Sequence, residues 1–225
     1  MKKNHISLGL MFALGMSLFV NASDNLNCAD YAPPSYEAHT SPEKPVIRNK
    51  IYDLLSKAQK QIDEQNYDEA EQHLLKIISI SSKKSMFYGV MNYELAMANN
   101  MLGFVFLSRG DLNMSAYYYK KAIAQPETPV NFPNSMKDRL SFVYEKLGDF
   151  GCAIIVLESI KWSDSAKLEA DTNFKLAQLY SDQKHIPSAL EYLRKTELYY
   201  VDQGLPLPDE LATLKTYLLA KTLNP

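Results

Sequence analysis

The chain has 225 residues, with 24 basic and 26 acidic side chains, a formal net charge of −2 and 46% apolar residues. That length holds one sizeable domain, and a near-balanced charge whose densest basic pairs are Lys83-Lys84 and Lys120-Lys121 argues against a nucleic-acid surface. No Gly-rich phosphate loop, G-x-S-x-G elbow or H-E-x-x-H pair occurs, and His39, His73 and His185 lack metal-ligand spacing. No catalytic residue, cofactor or metal is therefore expected.

At the N-terminus, Lys2 and Lys3 precede an apolar run from Ile6 to Val20, followed by Val20-Asn21-Ala22. This pattern predicts a signal peptide over residues 1–22, cleaved after Ala22. The run falls short of the roughly 20 residues a membrane span needs. The expectation is a periplasmic protein with no integral membrane segment once the signal is removed. Residues 23–45 carry Pro33-Pro34, Pro42 and Pro45 without a hydrophobic period, which predicts a disordered or loosely docked tail. It is either a passive linker or a tether. Cys28 and Cys152 are the two cysteines of the chain. In an exported protein an even count invites a disulfide. Such a bridge would pin the tail to the third repeat described next; the alternative is a small buried side chain at Cys152.

From residue 46 onward the chain repeats itself. Asn66-Tyr67-Asp68-Glu69-Ala70, Gly110-Asp111-Leu112-Asn113-Met114-Ser115, Gly148-Asp149-Phe150-Gly151-Cys152-Ala153 and His185-Ile186-Pro187-Ser188-Ala189 read as four helix–turn–helix corners, each ending on a small residue. Before three of them stand Leu102-Gly103 with Phe106, Leu140-Ser141 with Tyr144, and Leu176-Ala177 with Tyr180. Small residues let two helices of a pair approach, and large ones fill the gap to the next pair. Gly110 and Gly148 suit a left-handed helix end, and Asp111 and Asp149 suit the N-cap that follows.

These residues resemble the tetratricopeptide repeat, a 34-residue helix pair. The first copy is the weakest, with Lys57 and Gln61 in apolar slots. The resemblance implies an all-α fold: a right-handed superhelix (α-solenoid) of four helix pairs plus a C-terminal capping helix. The domain spans 46–225, with repeats at about 51–84, 96–129, 134–167 and 170–203. The capping helix is expected over 207–222, where Leu211, Leu214, Leu218 and Leu219 share a face. The anchors Ala70, Ser115, Ala153 and Ala189 stand further apart than 34 residues, so extra residues must lengthen helices or connections, chiefly between Ile80 and Asn92.

In such a stack the first helix of each pair lines a concave groove. The register assigns to this peptide-binding groove Tyr52, Leu55, Gln59 and Ile62 from copy one, and Met97, Asn100, Phe104 and Leu107 from copy two. Copy three supplies Asp138, Phe142 and Glu145, and copy four Phe174 and Gln178. The row Phe104, Phe142, Phe174, with amides beside it, suits a peptide whose backbone the amides bond. Packing of these rings between repeats, or their cover by the tail, is the alternative.

Several stretches resemble a narrower group, the exported bacterial tetratricopeptide proteins found with TonB-type energy-transduction systems. They are Ile51-Tyr52-x2-Leu55-x2-Ala58-Gln59, Tyr67-Asp68-Glu69-Ala70, Tyr93-Glu94-Leu95-Ala96, Ala122-x2-Gln125-Pro126 and Leu176-Ala177-Gln178-Leu179-Tyr180. Lys137 to Ile160 departs from that pattern. The resemblance implies a non-enzymatic accessory subunit of outer-membrane transport, with a protein or peptide partner in the cell envelope such as TonB, ExbB or ExbD. Two other readings stay open: a scaffold or chaperone in envelope assembly or secretion, and a peptidoglycan-binding protein or enzyme. Self-association through the capping helix is a further expectation.

Overall fold

The computed structural model describes residues 47–223 apart from 86–90, 127, 130 and 164. The expected signal peptide and tail, and Cys28 with them, lie outside the described residues. Among the described residues nine α-helices follow one another: α1 (Asn49–Asp63), α2 (Tyr67–Ser85), α3 (Met91–Ser108), α4 (Leu112–Ile123), α5 (Asn131–Leu147), α6 (Phe150–Glu158), α7 (Ala166–Asp182), α8 (Ile186–Asp202) and α9 (Asp209–Leu223). No strand occurs among the described residues. Each helix packs chiefly on its neighbours in the chain, which is how a solenoid grows.

The corners explain the repetition. The first helix of every pair ends in the same two backbone bonds, six-to-one and five-to-two. Asn66 N–H donates to Gln61 O at 2.8 Å, Asp111 to Phe106 at 2.9 Å, Asp149 to Tyr144 at 2.9 Å and His185 to Tyr180 at 2.8 Å. This closure needs a left-handed residue one place earlier. Gly110 (φ 80°) and Gly148 (φ 76°) supply it without strain, whereas Gln65 (φ 61°) and Lys184 (φ 59°) adopt it as non-glycine residues. The same closure recurs after α8 at Gly204. The expected caps form: Asp111 accepts from Met114 N and Asp149 from Cys152 N, both at 3.0 Å.

Packing within a pair rests on the small residues. A Cβ built on Gly103 would lie 2.7 Å from the Tyr119 ring, and the Ser115 hydroxyl donates to Gly103 O at 2.8 Å. Both Tyr119 and Tyr144 are fully buried in a core shared by α4, α5, α6 and α7. A second core joins α1, α2 and α3, and a third joins α7, α8 and α9. Helix α9 begins at Asp209 rather than Leu207, because Pro206 and Pro208 break the path into it. The extra residues of the first repeat lengthen helices: α2 runs to Ser85 and α3 starts at Met91.

That lengthening builds a buried charge. Glu94 has no exposed surface and accepts from the Arg48 backbone N–H at 3.0 Å, from Arg48 Nε at 3.0 and 3.1 Å, and from Ser81 Oγ at 2.9 Å. Burial alone would push its carboxyl up. The bonds from Arg48 and Ser81 outweigh burial and hold it below the usual carboxylate range. The entry to α1, the end of α2 and the start of α3 are thereby tied at one carboxylate.

Two outcomes follow from this packing. Gly103→Ala forces Tyr119 to move and should cost roughly 1–3 kcal/mol of stability, read from urea unfolding. Glu94→Gln should cost roughly 2–3 kcal/mol near neutrality, less than a fully buried pair because Arg48 keeps some exposure. Since the folded pKa of Glu94 is depressed, its contribution is complete above about pH 4.3 and fades as pH falls through the folded value. The gap between the urea midpoints of the two proteins should therefore narrow as pH is lowered from 7 toward 3.

Candidate functional site

The first helices of the pairs share one face. A cleft of about 280 Å³ is lined by Gln59, Ile62 and Asp63 of α1, Asn100, Met101 and Phe104 of α3, and Arg139 of α5. No second helix contributes to it, so this is the inner surface of the stack. A wider depression of about 720 Å³ opens further along, where Ser181 and Asp182 of α7 face Asp209, Glu210, Thr213, Leu214 and Tyr217 of α9.

Helical spacing positions the polar groups. Gln59 and Asp63 lie one turn apart, and the Gln59 amide donates to Asp63 Oδ1 at 2.8 Å. Asn100 lines the cleft floor, and its carbonyl oxygen is buried without a hydrogen-bond partner. A donor brought in by a bound chain would satisfy it, and until then it carries a desolvation cost. Phe104 keeps 37% of its surface and Phe142 keeps 41%. The Lys146 ammonium stands 5.2 Å from the centre of the Phe142 ring. Between α5 and α7, Lys175 Nζ meets Asp138 Oδ1 at 2.6 Å. Close by, burial pushes the Glu145 carboxyl up; Asp138 and Asp182 add to this, while Lys175 and Lys146 oppose it.

The expected groove residues divide into two groups. Tyr52, Gln59, Phe104, Phe142 and Gln178 are exposed; Asn100, Asp138 and Glu145 are partly buried. Of the other five, Leu55 is a correction. Leu55 is buried in the α1–α3 core, packed with α2 and α3 and not left to the groove. Ile62 lines the cleft while also packing into the α1–α3 core, with 8% of it exposed. Half-buried Met97 packs against the α1–α3 core, Leu107 against the α4–α7 core and Phe174 against the α7–α9 core. Within the ring row Phe104 and Phe142 are exposed and Phe174 is half-buried. Sequence reasoning missed Asp63, Met101 and Arg139. Asp63 stands one turn after Gln59 and Arg139 three residues before Phe142, a spacing that places each on the same helix face.

Outside the groove, side chains join the repeats. Tyr180 and Tyr192 stack at 5.6 Å, and both hydroxyls donate to Glu158 Oε1, at 2.7 and 2.9 Å. Burial and then this carboxylate push the Tyr180 phenol up to about 12, and Tyr192 upward for the same reasons. Lys137 Nζ donates to Ser159 O at 2.8 Å, at the C-terminal end of α6. Among the described residues no group of three or more His, Cys, Asp or Glu side chains could hold a metal ion, and no helix is long and apolar enough to cross a membrane.

No protein-family profile matches the chain, and no curated protein matches it. Among solved structures it is similar to the crystal structure of MamA protein, a tetratricopeptide-type protein, at 17% identity and a TM-score of 0.51. The match covers 76% of this chain and 91% of that one. At that identity the likeness speaks to the fold.

Because Glu145 is held above the usual carboxylate range, its ionised form costs stability once pH rises past the unfolded value of about 4.3. Glu145→Gln should raise stability at pH 7 by less than about 1 kcal/mol, since solvent screens much of the effect. The gain should vanish near pH 3, as followed by thermal unfolding at both pH values.

With nine helices, no strand among the described residues and this neighbour, the fold is an α-solenoid of the tetratricopeptide type: four helix pairs and a closing helix.

Proposed function

We propose that this chain is an exported periplasmic interaction module that holds an extended peptide segment of a cell-envelope protein along the α1–α3–α5 cleft, as a non-enzymatic accessory to a TonB-type transport system. One observation carries the binding half. Phe104, an exposed inner ring, sits in a cleft that also holds an unpaired carbonyl at Asn100. Exposed rings offer apolar contact area, and Asn100 offers a bond to a peptide N–H. A solenoid of this type is suited to protein partners. The transport half rests on the resemblance of the stretches from Ile51 to Tyr180, and the periplasmic address on Lys2, Lys3 and the apolar run that follows.

Photoreactive residues placed at Phe104 and Phe142 in living cells test both halves. Capture of a TonB-, ExbB- or ExbD-like protein from both sites is the expected result. Capture of outer-membrane assembly or secretion proteins from the same sites keeps the cleft and replaces the transport role with a scaffold role. A folded, expressed protein that captures nothing at either site overturns the cleft as the working surface.

A further inference from the structure

Resting on the cleft as the peptide-binding surface, we propose that it selects segments carrying one acidic side chain, whose carboxylate pairs with Arg139, and no second acid at the α1 end. The recognised element is an apolar residue against Phe104 beside an aspartate or glutamate over α5.

The charge of the cleft differs from end to end. Asp63 stands on α1, Asn100 and Phe104 on α3, and Arg139 on α5. The acid and the base therefore lie on opposite sides of α3. Other cations near this face are already engaged. Arg48 is held by Glu94, and Arg109 by Asp68 and Glu71. Lys175 meets Asp138, and Lys146 stands over the Phe142 ring. Arg139 is exposed, and among the described residues no carboxylate pairs with it.

A second observation lies beneath the guanidinium. Tyr119 is fully buried, and its hydroxyl has no hydrogen-bond partner. Its ring lies against Gly103 of α3. Burial pushes the phenol above its ordinary range, and Arg139 beside the hydroxyl pulls the other way. The two groups are thus neighbours outside hydrogen-bond geometry, and a buried polar atom left in that state carries a cost. A guanidinium is a planar fork of N–H donors. A carboxylate taken on its outer edge by two parallel bonds fixes the plane of the fork. An inner N–H can then donate to the phenol oxygen below. The Asn100 carbonyl oxygen, also unpaired, accepts a backbone N–H of the same segment. One bound chain satisfies both.

The α1 end sets the exclusion. Asp63 Oδ1 accepts from Gln59 at 2.8 Å, so an acidic residue arriving there would meet a like charge. Phe142 sets the source of the carboxylate. It lies one turn beyond Arg139 on α5 and is exposed. Apolar surface therefore continues past the guanidinium, the segment runs on over it, and the carboxylate belongs to a side chain and not to a chain terminus.

The test begins with a random peptide library displayed on phage and selected on the full chain, with and without Phe104→Ala. Peptides lost with Phe104→Ala define the cleft, and they should share one aspartate or glutamate. Affinity of one such labelled peptide is then read by fluorescence anisotropy. Arg139→Gln should weaken it about tenfold, an amide in place of the peptide's acid should weaken it equally, and the two together should lose no more than either alone. Tyr119→Phe, acting through Arg139, should weaken the acidic peptide severalfold and leave the amide peptide unchanged, a difference that a merely structural role would not produce. Cleft-dependent peptides with no shared acid, or additive losses for Arg139→Gln and the amide peptide, overturn the acidic specificity while the cleft stands. Loss of affinity on amidating the peptide's C-terminus assigns the carboxylate to the chain end and overturns the side-chain source. Peptides indifferent to Phe104→Ala, or none selected, overturn the cleft and this specificity with it.

Discussion

The close approach of two helices at small residues is the constraint on which the rest depends. At Gly103 the partner helix sends Tyr119 into space that any Cβ would occupy, and Ser115 donates its hydroxyl to the backbone exposed there. Tyr119, with Tyr144 from the third pair, then fills the core that passes from one pair to the next. Interiors packed this tightly transmit the position of each helix to its neighbour. The orientation of the inner face is therefore set by contacts made on the opposite side of the helices that line it.

The corners are the second determinant. Five helix ends close with the same pair of backbone bonds, three on glycine and two on Gln65 and Lys184. A left-handed glutamine or lysine is less favourable than glycine. The first and fourth corners thus accept a local cost that packing of the neighbouring helices offsets. Repetition in this chain is a repetition of backbone geometry, held even where the side chain best suited to it is missing.

The two faces of the stack carry different groups. The inner face is polar and ring-bearing, with an unmet acceptor at Asn100 and a carboxyl raised by burial at Glu145. The outer helices hold the joints: Glu158 with its two tyrosines, and the disulfide at Cys152.

Much of this was legible in the sequence, because the repeat is a local pattern. Gly110, Asp111, Gly148 and Asp149 announce their corners through φ preference and capping, and the small anchors announce which helices touch. Exposure at Phe104 and Phe142 followed from register alone. The burial of Leu55 and the partial core packing of Met97, Leu107 and Phe174 did not follow, since a helix face in a solenoid is divided between groove and core by only tens of degrees. Tertiary contacts decide on which side of that line a residue falls. Arg139 and Asp63 entered the cleft for the same reason. The Arg48–Glu94–Ser81 cluster was invisible beforehand, because its members lie 46 and 13 residues apart and meet only where the long α2 returns to α3. By itself the sequence determined the number, order and corners of the helices, whose causes lie within a few residues. The tertiary structure alone decided which side chains are left for a partner, because that depends on how far each helix is rotated against the next.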